Sequence, residues 1–299
     1  MKKLQSPNHL FMIEPKEFCN NLQTLDSNDY QIVEQDTSKD QILKKAKEEF
    51  FNFKNIIEAH NIKVTFMLGS NGCPDHIFPN WFATFQDKSM QIFSMKALNR
   101  RAEKIPSIIK KLETEYKLID DLTPYEEKGI FLESTSSMVF DRVNMIAYIG
   151  KSVRTNEDLA RAWCSKNGFK VVIFETTNHK NNPIYHTDVL MFVGTNMIGL
   201  CNEVINDEYK EEVLSKAKKY HDVMLLTKDQ ILDFCGNALE ARNNIDEKYL
   251  IMSSRAQKSL TSPQILKIKK YYKDIIHADI PTIEKYGGGS ARCMLTELF

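Results

Sequence analysis

The sequence predicts a strand-rich α/β protein that runs as one domain over residues 1–299. Two observations predict it. Short apolar runs of strand length alternate with charged stretches whose apolar residues fall at helical spacing. The helical stretches recur at roughly 50–60 residues, an interval that suggests repeated units. No Pro/Gly/Ser-rich linker, low-complexity block or charge run divides the chain.

In chain order, His9–Pro15 reads as a strand stopped by proline. Gln41–His60 is rich in lysine and glutamate and reads as a surface helix, followed by a strand at Lys63–Leu68. Met90–Met95 is a strand, and Arg100–Leu118 a second amphipathic helix. Gly129–Leu132, Met138–Phe140 and Met145–Tyr148 form a strand cluster. Asn156–Asn167 is a helix with Asn156 as N-cap and Gly168 just past its end. Val171–Glu175 and Val189–Val193 are strands. Asp207–Lys218 is a helix, Val223–Leu226 a strand, and Gln230–Phe234 the start of a short helix. Tyr249–Ser253 is a strand and Ser262–Tyr272 a helix.

Composition narrows the partners. Forty basic and forty acidic residues cancel, so no net field concentrates nucleic acid or an anionic membrane surface. No run of about 18 apolar residues suggests a membrane span. Gln5-Ser6-Pro7-Asn8-His9 stands where the apolar part of a signal peptide would begin, so a cytoplasmic protein is expected. Cys19, Cys73, Cys164, Cys201, Cys235 and Cys293 are far apart and form no C-x-x-C pair. That spacing offers neither a zinc site nor a disulfide framework, and reduced thiols are the plain reading.

Cys293 stands apart from the other five. It ends Gly287-Gly288-Gly289-Ser290-Ala291-Arg292-Cys293, where glycines permit positive φ and close approach of the backbone to a ligand. They also leave the thiol with little side-chain cover on one side, which suits a low-pKa thiolate. In Pro183-Ile184-Tyr185-His186-Thr187-Asp188, strand alternation puts His186 and Asp188 on one face, as an acid–base pair or as a surface histidine beside an acceptor. Glu133 lies among apolar and hydroxylic residues in Phe131–Met138, where a buried carboxylate needs a raised pKa or a charged partner. Arg154 sits in a loop before a helix, positioned to grip a carboxylate bidentately or to be solvated. Pro74–Trp81 is a tight loop holding Asp75 and Asn80, and Met95–Arg101 leads a strand into a helix through Arg100.

Together and in order, these segments resemble the guanidine-modifying, or pentein, superfamily, which includes arginine deiminases, dimethylarginine hydrolases and amidinotransferases. The nearest branch is that of the citrulline-utilisation hydrolases. The resemblance spans Phe11–Phe18, Pro74–Asn80, Met95–Arg101, Leu132–Arg142, Arg154–Asn156, Pro183–Gly194, Gly236–Glu240, Met252–Leu260 and Thr282–Phe299. It implies a pseudo-fivefold α/β propeller of ββαβ-type repeats forming a single catalytic domain, with the active site at the centre. It further implies Cys293 as nucleophile, His186 as general acid–base and Glu133 as the carboxylate orienting it. Asp75 would hold a substrate α-amino group, Arg100 and Arg154 its α-carboxylate, and Asn80 and Asp188 the ureido or guanidino nitrogens. Two positions depart from the family: Asn80 is followed at once by Trp81 where the branch usually has two asparagines, and Ser134 and Ser136 replace glycines.

The expected activity is cysteine-dependent C–N hydrolysis of the ureido group of L-citrulline to ornithine, CO2 and ammonia. No metal or organic cofactor is called for, since the thiolate supplies the nucleophile. An Asn beside an Asp offers both donor and acceptor, which suits a neutral ureido group better than two carboxylates would. A deiminase or amidinotransferase acting on arginine or methylarginine shares the triad and stays open. So does a catalytically silent binding protein on the same fold. The expected partner is a small molecule, and self-association as a homo-oligomer is left open.

Overall fold

A computed structural model describes residues 3–34 and 37–299. It contains five three-stranded sheets of one design. Strands β1 (His9–Glu14) and β2 (Lys63–Leu68) run parallel, joined by helix Lys39–Ala59. Next come β3 (Phe82–Thr84), β4 (Ser89–Ile92) and β5 (Lys117–Asp121), then β6 (Met138–Asp141), β7 (Ile146–Gly150) and β8 (Lys170–Phe174). Strands β9 (Met191–Val193), β10 (Met197–Leu200) and β11 (Asp222–Leu225) form the fourth sheet. The fifth holds β12 (Leu239–Arg242), β13 (Lys248–Ser253) and β14 (Asp274–Ala278). In the last four sheets the first two strands are antiparallel and the third returns parallel to the second. A parallel return needs a crossover, and a helical segment supplies it each time. The last strand, β15 (Thr296–Leu298), pairs antiparallel with β1 and gives the first sheet the same pattern. The fivefold repetition of ββαβ units is therefore present, closed between the two ends of the chain.

The helices form where sequence chemistry dictates. Ser38 and Gln41 make a reciprocal capping box on Lys39–Ala59. Its buried residues Ile42, Ala46, Phe50, Phe53 and Ile57 make one stripe that packs in a core with Leu10 and Ile276. Asn156 caps Glu157–Asn167 by accepting from the Leu159 N–H, and Gly168 ends it at φ +75°. Among the described residues, no helix is long and apolar enough to cross a membrane.

Three expectations are corrected. Arg100–Leu118 is not one helix: Leu98–Arg101 forms a turn, Pro106 starts a new helix ending at Glu113, and Lys117–Asp121 is β5. Proline disfavours helical geometry in the residue before it, and Ile105 is extended at ψ 140°. Gly129–Leu132 is not a strand, because Gly129 closes a 3-10 turn at φ +67° and Leu132 makes only one isolated bridge, to Thr155. His186 and Asp188 do not share a strand face. Thr187–Val189 is a 3-10 turn, pinned where Thr187 Oγ1 donates to the Ser137 carbonyl and accepts from the Gly150 N–H.

The segments linking one sheet to the next position the site. Ser134 Oγ donates to the Phe82 carbonyl, Thr187 to Ser137, Asn237 to the Asp188 carbonyl, and Thr296 to the Pro79 carbonyl. With Asn237 bonded to Cys293, these links form a closed ring through all five connections. Asp75, Asn80, Glu133, His186, Asp188 and Cys293 all lie on it.

Candidate active site

His186 is buried, and its Nε2 lies 2.7 Å from Glu133 Oε2. The other carboxylate oxygen of Glu133 accepts from the Lys96 N–H at 3.0 Å. Arg154 Nη1 stands 3.7 Å from Glu133 Oε2. Burial alone would raise the Glu133 carboxyl. Arg154, the His186 hydrogen bond and Arg100 outweigh it and hold the carboxyl well below its usual range. Glu133 is thus an anion that fixes the imidazole ring. Burial lowers the His186 pKa against the opposing pull of Glu133, leaving a neutral ring at physiological pH. With Nε2 donating to Glu133, Nδ1 is the acceptor, and it is buried with no partner among the described residues. It is the free proton station of the site.

The backbone at Glu133 is unusual. Ser134 has φ +47°, a left-handed conformation that costs a residue with a Cβ. The hydrogen bond from Ser134 Oγ to the Phe82 carbonyl holds it there. The serine thus takes up the backbone conformation that glycine would allow freely.

Cys293 lies in the connection between the fifth sheet and β15. Asn237 Nδ2 donates to its Sγ at 3.1 Å, and Asn237 Oδ1 accepts from the Cys293 N–H at 3.2 Å. Asp188 Oδ2 is 3.7 Å from the sulfur. Asn237 is a site residue within Gly236–Glu240, a segment that carries part of the family resemblance but to which sequence reasoning assigned no role. Gly236 before it is required by close approach: a Cβ there would lie 2.3 Å from the Val189 carbonyl.

The thiol environment differs from expectation. Cys293 is 4% exposed, and the Phe78 ring covers Gly287 and Gly289. Of the three glycines, only Gly288 takes positive φ, at +61°. Burial, and next the Asp188 carboxyl, push the Cys293 thiol up to about 12, with Asn237 and Arg292 pulling the other way. A resting low-pKa thiolate is therefore replaced by a protonated thiol, which must lose its proton during the reaction. Burial also raises Asp188, opposed by His186 and Arg292.

The remaining predicted residues lie around this centre. Asp75 Oδ2 accepts from Asn21 Nδ2 at 2.7 Å and Thr24 Oγ1 at 3.2 Å, while its Oδ1 is buried without a partner. Arg100 is buried and largely committed: it holds both oxygens of Glu103, at 3.0 and 3.2 Å, and donates to the Phe78 carbonyl. Arg154 Nε and Nη2 donate to Ser27 Oγ at 3.2 and 2.9 Å, and its guanidinium lies over the Tyr185 ring. Asn80 is buried in the same loop as Asp75, with its N–H on the Phe78 carbonyl. Trp81 turns away and packs against Phe82 in the core of the second sheet, so it does not take a second asparagine's place.

Residues 20–28, after β1, lie against the site. Asn20 donates to the Tyr286 carbonyl and Asn28 to those of Gly287 and Gly288, while Asn21, Thr24 and Ser27 reach Asp75 and Arg154. If Arg154 grips a substrate carboxylate, that group replaces the Ser27 hydroxyl. Arg154→Ala is expected to raise KM by at least about 30-fold, the equivalent of losing about 2–4 kcal/mol from a desolvated charge-assisted clamp. Steady-state kinetics check this, and an unchanged KM removes Arg154 from substrate binding.

A family model described as N,N dimethylarginine dimethylhydrolase, eukaryotic, matches residues 14–299. No curated protein is similar enough in sequence to match. Among solved structures, the N-terminal domain of ArgZ, covalently bound to a reaction intermediate, matches with a TM-score of 0.75 at 14% identity, over 97% of each chain. Full-length ArgZ, an arginine dihydrolase from the ornithine–ammonia cycle in cyanobacteria, matches with a TM-score of 0.74 at 14% identity. That match covers 97% of this chain but 41% of ArgZ, so this chain spans less than half of the longer protein. A dimethylarginine dimethylaminohydrolase, as an adduct with S-methyl-L-thiocitrulline, matches with a TM-score of 0.65 at 16% identity, over 98% of this chain and 100% of that one. At these identities the structural likeness is one of fold. The family model covers nearly the whole chain, and the protein belongs to the eukaryotic-type N,N dimethylarginine dimethylhydrolase family of the pentein guanidine-modifying superfamily.

Proposed function

We propose that the chain is a single catalytic domain, a cysteine-dependent C–N hydrolase that cleaves the ureido group of L-citrulline. The observation that carries the hydrolase reading is that Cys293, bonded to Asn237 beside Asp188, shares the ring of connections with His186, whose Nε2 is held by the Glu133 anion. The citrulline reading rests on Asn80, a neutral amide in the loop that also carries Asp75. A neutral ureido group needs both a donor and an acceptor, and a second carboxylate there would be left without a cation.

In the reaction so read, Asp75 and Arg154 hold the α-amino and α-carboxylate groups. His186 Nδ1 takes the thiol proton as Cys293 Sγ attacks the ureido carbon. The same proton passes to Nδ of the substrate as the C–N bond breaks and ornithine leaves. A carbamoyl thioester remains on Cys293. Water, deprotonated by neutral His186, adds to that carbonyl and expels the thiolate, which recovers its proton from His186. The released carbamate breaks down to CO2 and ammonia. An imidazole that rests neutral can act first as base and, once protonated, as acid in each half-reaction.

A second reading, hydrolysis of arginine or a methylarginine, is favoured by Asp188, a buried carboxylate 3.7 Å from the sulfur that a guanidinium would pair with. Membership of the dimethylarginine family supports it as well. Product analysis with citrulline, arginine and Nω-methylated arginines separates the two. Ornithine and ammonia from citrulline are expected. Citrulline accumulating from arginine or a methylarginine, with citrulline itself inert, overturns the ureido reading.

A further inference from the structure

Arg292 immediately precedes the nucleophile, yet its side chain takes no part in the reaction described above. Its Nη1 donates to the Leu295 carbonyl at 2.8 Å, and its Nη2 stands 3.4 Å from Glu297 Oε2. Glu297 is already held more closely by Arg142, through two contacts of 3.3 and 3.2 Å. All three side chains are less than a tenth exposed. Two buried guanidinium groups therefore share one buried carboxylate, and the cluster carries one uncompensated positive charge. Arg292, the more loosely paired of the two, is where that charge is least neutralised.

A small cavity of about 20 Å³ is lined by Arg292, Glu297, Thr135, Gln5 and Asp188 together with apolar residues such as Val139. That is room for about one water molecule, and the lining supplies the polar partners a buried water needs. Asp188 is 1% exposed, and its Oδ1 is buried with no partner among the described residues. A buried carboxylate oxygen without a partner is costly, and a bridging water would relieve it.

We propose that Arg292 is a positioning residue which, across one bound water in this cavity, offsets the Asp188 charge that opposes deprotonation of Cys293. The inference rests on the reading of Cys293 as nucleophile and adds a counter-charge to it. Of the other ionisable groups facing the Asp188–Cys293 pair, His186 also draws Asp188 down, and it carries that charge only when protonated. His186 is neutral at rest, Tyr185 is a buried neutral phenol, Arg154 is paired with Glu133, and Asn237, Ser136 and Ser290 are uncharged. With Arg292 balancing Asp188, the pocket presents no excess negative charge to a bound ureido group.

The test is the rate at which iodoacetamide alkylates Cys293 in the substrate-free full chain at about pH 9, read by peptide mass spectrometry against Cys164 as internal reference. Cys164 is a buried thiol in the core of the third sheet. Below the midpoint of the thiol, the rate follows the thiolate fraction, so one pKa unit is about tenfold. Arg292→Met is expected to slow Cys293 about tenfold relative to Cys164, and Arg292→Lys to stay within about threefold of the unmodified protein. Glu297→Gln, which removes the shared anion, is expected to speed it. A purely structural role predicts no gain from Glu297→Gln. An unchanged ratio in Arg292→Met, an Arg292→Lys as slow as Arg292→Met, or no acceleration in Glu297→Gln overturns the proposal. Should Arg292→Met fail to fold, the sign of the Glu297→Gln effect decides alone. No substrate is present, so failure of the citrulline reading leaves this outcome untouched.

Discussion

Cys293→Ser is expected to lower kcat by at least about 10,000-fold while leaving KM within a few-fold. A hydroxyl is a far weaker acid than a thiol. The site already raises the thiol by burial and by Asp188, and it would penalise an alkoxide more. Among the described residues beside the sulfur, Asn237 is an amide and Asp188 a carboxylate, a far weaker nucleophile than a thiolate. The α-amino and α-carboxylate contacts assigned to Asp75 and Arg154 lie outside the change, so binding should persist. Calorimetry on the serine variant with citrulline measures that binding directly. Turnover within tenfold of the unmodified enzyme would sink covalent catalysis by this residue.

Glu133→Gln carries the second-largest effect, a fall in kcat of about 1,000- to 10,000-fold. The amide fills the same space but can donate to His186 Nε2. The imidazole proton then moves to Nδ1, which can no longer take a proton from the thiol. Arg154 also loses its anionic neighbour at 3.7 Å. A stability effect accompanies the catalytic one. Glu133 has a folded pKa below its unfolded value of about 4.3, so it binds its proton more readily when unfolded. Its contribution to stability is full at neutral pH and is lost as pH falls through the depressed folded value. The stability gap between the unmodified protein and Glu133→Gln, measured by urea unfolding, should therefore be largest near pH 7 and shrink below about pH 4. A gap that widens on acidification contradicts the assignment of Glu133 as a buried anion.

The helix Glu157–Asn167 was legible to its boundaries because both stop signals, Asn156 and Gly168, are local chemistry. Strands β3 and β15 were not, since three residues are too few to show an alternation. The turn Thr187–Val189 read as strand because the apolar run after it hides a distortion imposed from outside, by Ser137 and Gly150. The site divides the same way. A glycine run marked Cys293 as distinctive, but its thiol state depends on burial and on Asp188, 105 residues away. Glu133 meets His186 across 53 residues, and Asn237 meets Cys293 across 56. Such pairings are set by the fivefold packing, which no local spacing encodes. The family resemblance pointed to Glu133 and His186, and it left Asn237 without a role.

The identity of the group left on the enzyme tests the central claim most directly. Unmodified protein is mixed with citrulline, acid-quenched within the first turnovers, digested and weighed. A carbamoyl group adds about 43 Da to the Cys293 peptide and accompanies release of one ornithine per adduct, which is the predicted result. An adduct on Cys293 that retains the amino-acid skeleton, or a carbamoyl group on another residue, would contradict it.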